Sequence, residues 1–247
     1  MTHSPEELLI STLADMLAGD RHVAVGAASP IPGAAALLAQ AEARIASGRR
    51  MHVSILHSRR HNPFTEGARE LFDAAGQGRI DTFFLGGVQI DGQANINLVG
   101  IGDYPHLKKR FPGSFGSALM YFAVPRVILF REEHSPRTLV GKVDFVSAPG
   151  TSPPEVWRRG GPKALVTNRG VFSFDPAAAR FRLESVHNGE TPATVAAATG
   201  FDFDLAPRVG ETPAPSPRRL ALLRGEIAPK VAQFYPQFAA RVWAIAA

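Results

Sequence analysis

The chain contains no cysteine. That excludes a cysteine nucleophile, a thiolate metal site and a disulfide framework, and it fits a reducing, cytoplasmic setting. No apolar run approaches the ~18 to 20 residues a membrane span needs. The opening residues, Met1 to Glu7, are polar, so the expectation is a soluble intracellular protein with no membrane partner. Several catalytic signatures are missing too. There is no GxSxG elbow, no Walker A string, and no GxGxxG after the first strand, where Gly26-Ala27-Ala28-Ser29 lacks the needed glycines. The 8 histidines form no HExxH and no spacing paired with carboxylates, so no metal is expected.

What is present is a modest basic excess, a formal net charge of +5, with clusters at Arg49-Arg50, Arg59-Arg60-His61, Lys108-Lys109-Arg110 and Arg158-Arg159. Basic surface attracts phosphates. These clusters are short, scattered and not interleaved with aromatics as a single-strand binder requires, so no nucleic-acid partner is expected. Each cluster taken alone reads first as a solvated face. With 247 residues and 45% hydrophobic content, the chain can bury a sizeable core as a single domain over 1–247.

Helices and strands alternate in the first third. Ser4-Pro5-Glu6-Glu7 is an N-cap, a proline at N1 and an acidic first turn, predicting a helix over Pro5 to Leu17. His22 to Ala28 predicts a strand, and an Ala/Leu-rich stretch after Pro30-Ile31-Pro32-Gly33 predicts a helix to Ile45. Met51 to Leu56 and Asp81 to Leu85 are further strands, with a helix over Glu66 to Ala75 between them. Pro125 to Arg131 and Lys142 to Val146 suit buried strands, and the βα alternation favours a parallel sheet. Ser147 to Pro162 is a loop, whereas Ala164 to Asn168, Val171 to Asp175 and Arg180 to His187 predict a meander. Pro192 to Thr199 and Arg218 to Ile227 predict helices, and the Pro-rich Pro207 to Pro217 a surface connection.

Two glycine sets punctuate the middle of the chain: Gly86-Gly87 just after a strand, and Gly113-Ser114-Phe115-Gly116. Glycines there let backbone N–H groups approach a ligand closely, or simply make tight turns. Asn95 and Asn97 alternate as strand neighbours do; they can face one polar cavity or stabilise turns.

The whole string is more specific than its parts. Gly86, Gly87, Gln89, Ile90, Asp91, Asn95, Asn97, then Ile101-Gly102-Asp103-Tyr104, then Gly113, Ser114 and Gly116 resemble the signature of class I coenzyme A transferase β subunits. The likeness continues through Lys142-Val143-Asp144, Val146-Ser147, Pro149-Gly150, Val166-Thr167, Gly170, Phe174, Thr199-Gly200-Phe201-Asp202, Ile227 and Pro229. The resemblance implies an α/β fold with an open, mostly parallel sheet and flanking helices, the NagB/RpiA/CoA transferase-like architecture. It implies an α-type partner subunit, an acyl-CoA substrate from a degradative pathway, and coenzyme A as substrate moiety with no permanently bound cofactor. It also implies that Gly86, Gly87, Gln89, Asn95 and Asn97 belong to the CoA-binding region, and that backbone amides over Gly113, Ser114, Phe115, Gly116 and Ser117 hold an oxyanion. Phe115 stands where relatives commonly carry glycine.

In this family a β-subunit glutamate attacks the thioester and is converted through an anhydride into a glutamyl-CoA thioester. Aligning the strand His52 to Leu56 by its apolar pattern places Leu56-His57-Ser58 at that point, and an alkyl side chain has no lone pair to attack with. Three readings follow. Glu66, in the loop after the strand, is an alternative carboxylate, with His57 and His61 as nearby bases or phosphate contacts, against the plainer readings of a helix-start charge and solvated histidines. The chemistry is instead that of related steroid-ring-cleaving CoA hydrolases, whose essential glutamate lies on the α-type subunit. Or this chain only completes a CoA pocket.

Overall fold

The structure is a computed structural model and describes residues 2–245. Ser4 caps the first helix, α1 (Pro5–Met16): Ser4 Oγ accepts from the Glu7 amide at 3.2 Å, while Glu7 Oε2 accepts from the Ser4 amide at 3.0 Å. Strand β1 (His22–Val25) leads into α2 (Pro30–Ser47), which starts earlier than predicted. Pro30 and Pro32 fall within its first turn, where amides have no intrahelical acceptor, so they cost the helix nothing. Then come β2 (His52–Ile55), α3 (Ala68–Gly76) and β3 (Thr82–Leu85). Two short ribbons follow, β4 (Gln89–Ile90) with β5 (Ile96–Asn97), and β6 (Gly100–Ile101) with β7 (Lys109–Arg110). Helix α4 (Ser117–Ala123) precedes β8 (Arg126–Arg131), and the predicted meander is β9 (Pro162–Thr167), β10 (Gly170–Asp175) and β11 (Arg180–Val186). The chain ends with α5 (Pro192–Ala197), β12 (Asp204–Glu211), α6 (Pro217–Leu222), a π-helical turn over Leu223–Ile227, α7 (Ala228–Ala232) and α8 (Pro236–Trp243). No helix among the described residues is long and apolar enough to cross a membrane.

These elements form two compact units, each assembled from separated stretches: Met1–Glu66 with Ile80–Phe84 and Pro213–Ala247, and Gly67–Arg79 with Leu85–Thr212. In the first, strands run in the order β3-β1-β2, all parallel, with Val23 opposite both Val53 and Thr82. Leu9, Ile10, Leu13, Leu37, Leu38 and Ile55 are buried there, each contributing about 2 kcal/mol by leaving water. Glu7 is also buried; burial raises its pKa, but bonds from Arg224 at 2.7 Å and from the Ser4 amide outweigh that and hold it below the usual range.

In the second unit the order is β12-β11-β10-β9-β8. The β9-β10-β11 meander is antiparallel, while β8 with β9 and β11 with β12 are parallel. Over the main strands of both units four of these ladders are parallel and two antiparallel, the mostly parallel pattern of the α/β architecture predicted. Phe172, Phe174, Phe181, Phe201 and Phe203 pack edge-to-face and stacked at centroid distances of 5.0 to 6.2 Å.

Two buried histidines close one end of this meander, and their tautomers follow from their neighbours. Thr199 Oγ1 donates to Val195 O, so it accepts from His134 Nε2–H at 2.8 Å; His134 Nδ1 is then the acceptor, taking the Thr167 hydroxyl proton at 2.8 Å. His187 Nε2–H faces the Thr167 carbonyl at 2.8 Å, which only accepts, so His187 Nδ1 accepts from Thr212 Oγ1 at 3.0 Å. Both rings are satisfied as neutral imidazoles. Burial lowers both pKa values, that of His134 to about 4 with Arg169 adding to the effect.

Two predicted elements differ. Lys142 to Val146 is not a strand: the Asp144 amide donates to Gln89 Oε1 at 3.0 Å and the Val143 amide faces Asp91 Oδ2 at 3.5 Å, so side chains replace a ladder. The Pro207 to Pro217 connection begins inside strand β12. A proline is tolerated there because β12 is outermost in its unit's order and bulges against β11 between Leu183 and Ser185.

Candidate functional site

The glycine-asparagine string lies wholly in the second unit. A Cβ on Gly86 would stand 2.7 Å from Phe130 O, and one on Gly87 2.5 Å from Gln89 O, so both glycines let backbones cross closely. Between them and Gly100 the polar side chains turn onto the chain itself. Asp91 Oδ1 accepts from the Gln93 and Asn95 amides at 3.0 Å each, and Oδ2 accepts from Asn95 Nδ2 at 3.1 Å. Asn95 Oδ1 accepts from the Gly150 amide at 3.0 Å. Asn97, fully buried, donates from Nδ2 to Gln89 Oε1 and to Gly100 O, both at 2.7 Å, and its Oδ1 accepts from the Val99 and Gly100 amides. Every hydrogen-bonding position of that amide is engaged. Of the two roles open to Asn95 and Asn97, this geometry is the turn-stabilising one.

The glycine loop behaves differently. Gly113 has φ +105°, a conformation glycine adopts at little cost, and a Cβ there would meet nothing within 4 Å. A Cβ on Gly116 would strike the Phe72 ring at 2.0 Å. Phe115, at φ +44°, is 83% exposed with its ring tilted against Phe72 at 5.7 Å. The Ser117 amide and hydroxyl both bond Ser114 O, closing the turn that starts α4. Among the described residues the amides of Ser114, Phe115 and Gly116 make no hydrogen bond within the chain. Three neighbouring N–H groups on a turn are the kind of donor set that receives a developing negative oxygen.

In the first unit the ends of β1 and β2 carry the other predicted residues. The Leu56 amide donates to Val25 O at 3.1 Å, extending the ladder one residue past β2, and Leu56 is half-buried. His57 is exposed and stacks on Tyr235, with centroids 5.4 Å apart and planes 8° from parallel. Tyr235 anchors the loop after β1: its hydroxyl bonds Ala27 O and accepts from the Ser29 amide at 3.2 Å. Burial raises the Tyr235 pKa, so it remains a phenol. His61 packs edge-on to Phe234, and burial, then Arg60 and Lys230, lower its pKa. Both histidines are therefore held by aromatic rings. Glu66 is exposed, one residue before the N-cap Gly67, outside the helix in which it was predicted. Tyr235 escaped sequence reasoning because it stands far along the chain from His57 with no motif of its own.

Residues 3–198 match the family described as coenzyme A transferase. The chain belongs to that family. Coenzyme A transferase relatives include the β-type subunit of glutaconate CoA-transferase from Acidaminococcus fermentans, 37% identical over 153 residues, which are 59% of this chain and 56% of that relative. The cholesterol ring-cleaving hydrolase IpdB subunit of Rhodococcus jostii is 30% identical over 66% of this chain and 65% of its own length. The chain thus matches little more than half the length of the first of these relatives. Likeness in three dimensions is wider. The solved glutaconate coenzyme A-transferase of A. fermentans superposes with TM-score 0.79 at 26% identity, covering 94% of this chain and 97% of the other. A variant of the decarboxylase AibA/AibB gives TM-score 0.75 at 25% identity, covering 92% and 99%. The fold is that of class I CoA transferases. These relatives bear the names of three reactions, transfer, ring-cleaving hydrolysis and decarboxylation; the last was not among the readings drawn from the sequence.

Proposed function

We propose that this chain is the β-type subunit of a heteromeric CoA transferase-like enzyme acting on an acyl-CoA thioester. The observation that carries it is the turn of three open amides at Ser114, Phe115 and Gly116 in a chain of this family. A thioester carbonyl attacked by a nucleophile becomes a tetrahedral oxyanion, and fixed N–H dipoles stabilise that oxygen by roughly 3 kcal/mol per donor. In the transfer reaction a carboxylate attacks the carbonyl, CoA leaves as thiolate, and the resulting anhydride is opened by that thiolate to give an enzyme-CoA thioester and the free acid. Leu56 cannot supply the carboxylate, so it comes from the α-type partner or from Glu66.

A second reading is favoured by Leu56 itself and by the relative named a ring-cleaving hydrolase. There the partner's carboxylate acts as base on water or on a cyclic β-ketoacyl-CoA, and the same amides hold the enolate or tetrahedral oxygen. A third role, completing a CoA pocket without chemistry, needs none of these donors to face a reacting atom.

The test is to purify this chain with its α-type partner and add an acyl-CoA, with and without a free carboxylate acceptor. Hydroxylamine trapping and peptide mapping then look for a glutamyl-CoA adduct. An adduct with acceptor-dependent exchange supports transfer and locates the carboxylate. CoA release without acceptor and without adduct supports hydrolysis. Full activity of this chain alone defeats the two-subunit proposal.

A further inference from the structure

The ribbon β6–β7 carries side chains that its own packing does not need. The Lys108 amide donates to Ile101 O and the Phe111 amide to Val99 O, both at 2.9 Å. Gly102, at φ +101°, turns its amide onto Asp144 Oδ2 at 2.8 Å. The base of the hairpin is therefore firmly held. Its exposed side chains include Tyr104, 60% exposed with its ring braced by Phe145 at 5.2 Å, and the run Lys108-Lys109-Arg110. Lys109 Nζ lies 5.2 Å from the centre of the Phe111 ring. Among the described residues none of the three cations has a carboxylate partner; Asp103 is exposed nearby, and neither it nor Asp144 joins them in an ion pair. Elsewhere in this unit Arg131, Arg137, Arg169, Arg180 and Arg182 are all paired.

Three adjacent cations without a carboxylate partner repel one another, and an exposed aromatic ring gains nothing from water. A single class of ligand answers both features: a nucleotide bearing several phosphates, whose base stacks on the ring while its phosphates take the cations. The hairpin also runs straight into the glycine loop. Three residue steps separate Arg110 from Gly113, at most about 11 Å of extended chain.

We propose that the β6–β7 hairpin binds the 3′-phosphorylated ADP portion of coenzyme A, with Lys108, Lys109 and Arg110 on the phosphates and Tyr104 against the adenine. This rests on the CoA-thioester reading above and gives that substrate's charged end a place in this chain. Strand alternation puts Lys108 and Arg110 on one face, so these two carry the larger share.

Calorimetric titration of the complex of this chain with its partner subunit tests it, with CoA and with pantetheine, which shares the thiol arm but has no nucleotide. The triple variant Lys108→Gln, Lys109→Gln, Arg110→Gln should bind CoA roughly ten- to hundredfold more weakly, as loss of two or three charged hydrogen bonds predicts. Its affinity for pantetheine should change less than about twofold. Tyr104→Ala should weaken CoA about tenfold on the same argument from stacking. Adenosine 3′,5′-bisphosphate should displace CoA from the native complex. Undiminished CoA binding by the triple variant overturns the inference while leaving the CoA reading intact. Equal weakening toward CoA and pantetheine overturns it too, since the nucleotide is then not what the hairpin holds. A native complex that binds neither CoA nor pantetheine sinks the CoA reading, and this inference with it.

Discussion

Two stretches of one signature, Gly86 to Gly100 and Gly113 to Ser117, do opposite things with their polar groups. In the first, Asp91, Asn95, Asn97 and Gln89 turn their hydrogen-bonding atoms onto neighbouring backbone and onto one another. In the second, three consecutive amides stay open and a phenylalanine ring stands in solvent. Buried amides need partners, so the first stretch is rigid because it is closed upon itself, and the second can receive a ligand because it is not. A family signature therefore mixes residues whose polar groups hold the frame with residues whose polar groups are left open, and only geometry separates them.

Substitutions in the two stretches should then divide cleanly between stability and activity. The largest stability effect is expected from Asp91→Ala, which removes the buried carboxylate that accepts from the Gln93 and Asn95 amides and from Asn95 Nδ2; thermal unfolding should report a loss of about 4 kcal/mol. Loss of activity in a variant as stable as the native chain would break the comparison. Acid comes next. His134 titrates at about 4 in the fold against 6.5 when free, so the unfolded chain takes up more protons between those values. Stability is complete above pH 6.5 and falls by about 3 kcal/mol as pH drops to 4. Denaturant titrations at both pH values measure this, and His134→Gln should flatten the dependence. Gly113→Ala should cost only about 1 kcal/mol, because a Cβ meets nothing but a left-handed φ. Turnover should nevertheless drop at least about tenfold if the loop holds an oxyanion. The smallest effect is that of Phe115→Gly. Relief at φ +44° and loss of the Phe72 contact offset each other to within about 1 kcal/mol. KM for bulky acyl-CoA esters should fall if the ring narrows the opening.

The elements with strong local signals were legible in the sequence. The Ser4 N-cap with its acidic first turn, the β9-β10-β11 meander and the glycine positions all follow from spacing and residue type. What stayed hidden depends on partners distant in sequence. Asn95 and Asn97 alternate as if facing a common cavity, yet nothing in their spacing reveals that Asp91 and Gln89 take their amides. Lys142 to Val146 has a strand's pattern, but its donors go to side chains about fifty residues earlier. The His57–Tyr235 stack joins stretches far apart in the chain. Helix α8, started by a proline after Tyr235, was likewise missed, being short and amphipathic without a polar cap.

Strand β12 has a consequence for the company the molecule keeps. An outermost strand offers its free edge to any extended segment that drifts past, and long, regular edges are where soluble proteins begin to aggregate. Here the bulge against β11 and the missing N–H of Pro207 break the regular row such a segment would need. The irregularity that disguised this strand in the sequence is thus a safeguard, leaving association to surfaces chosen by side chains.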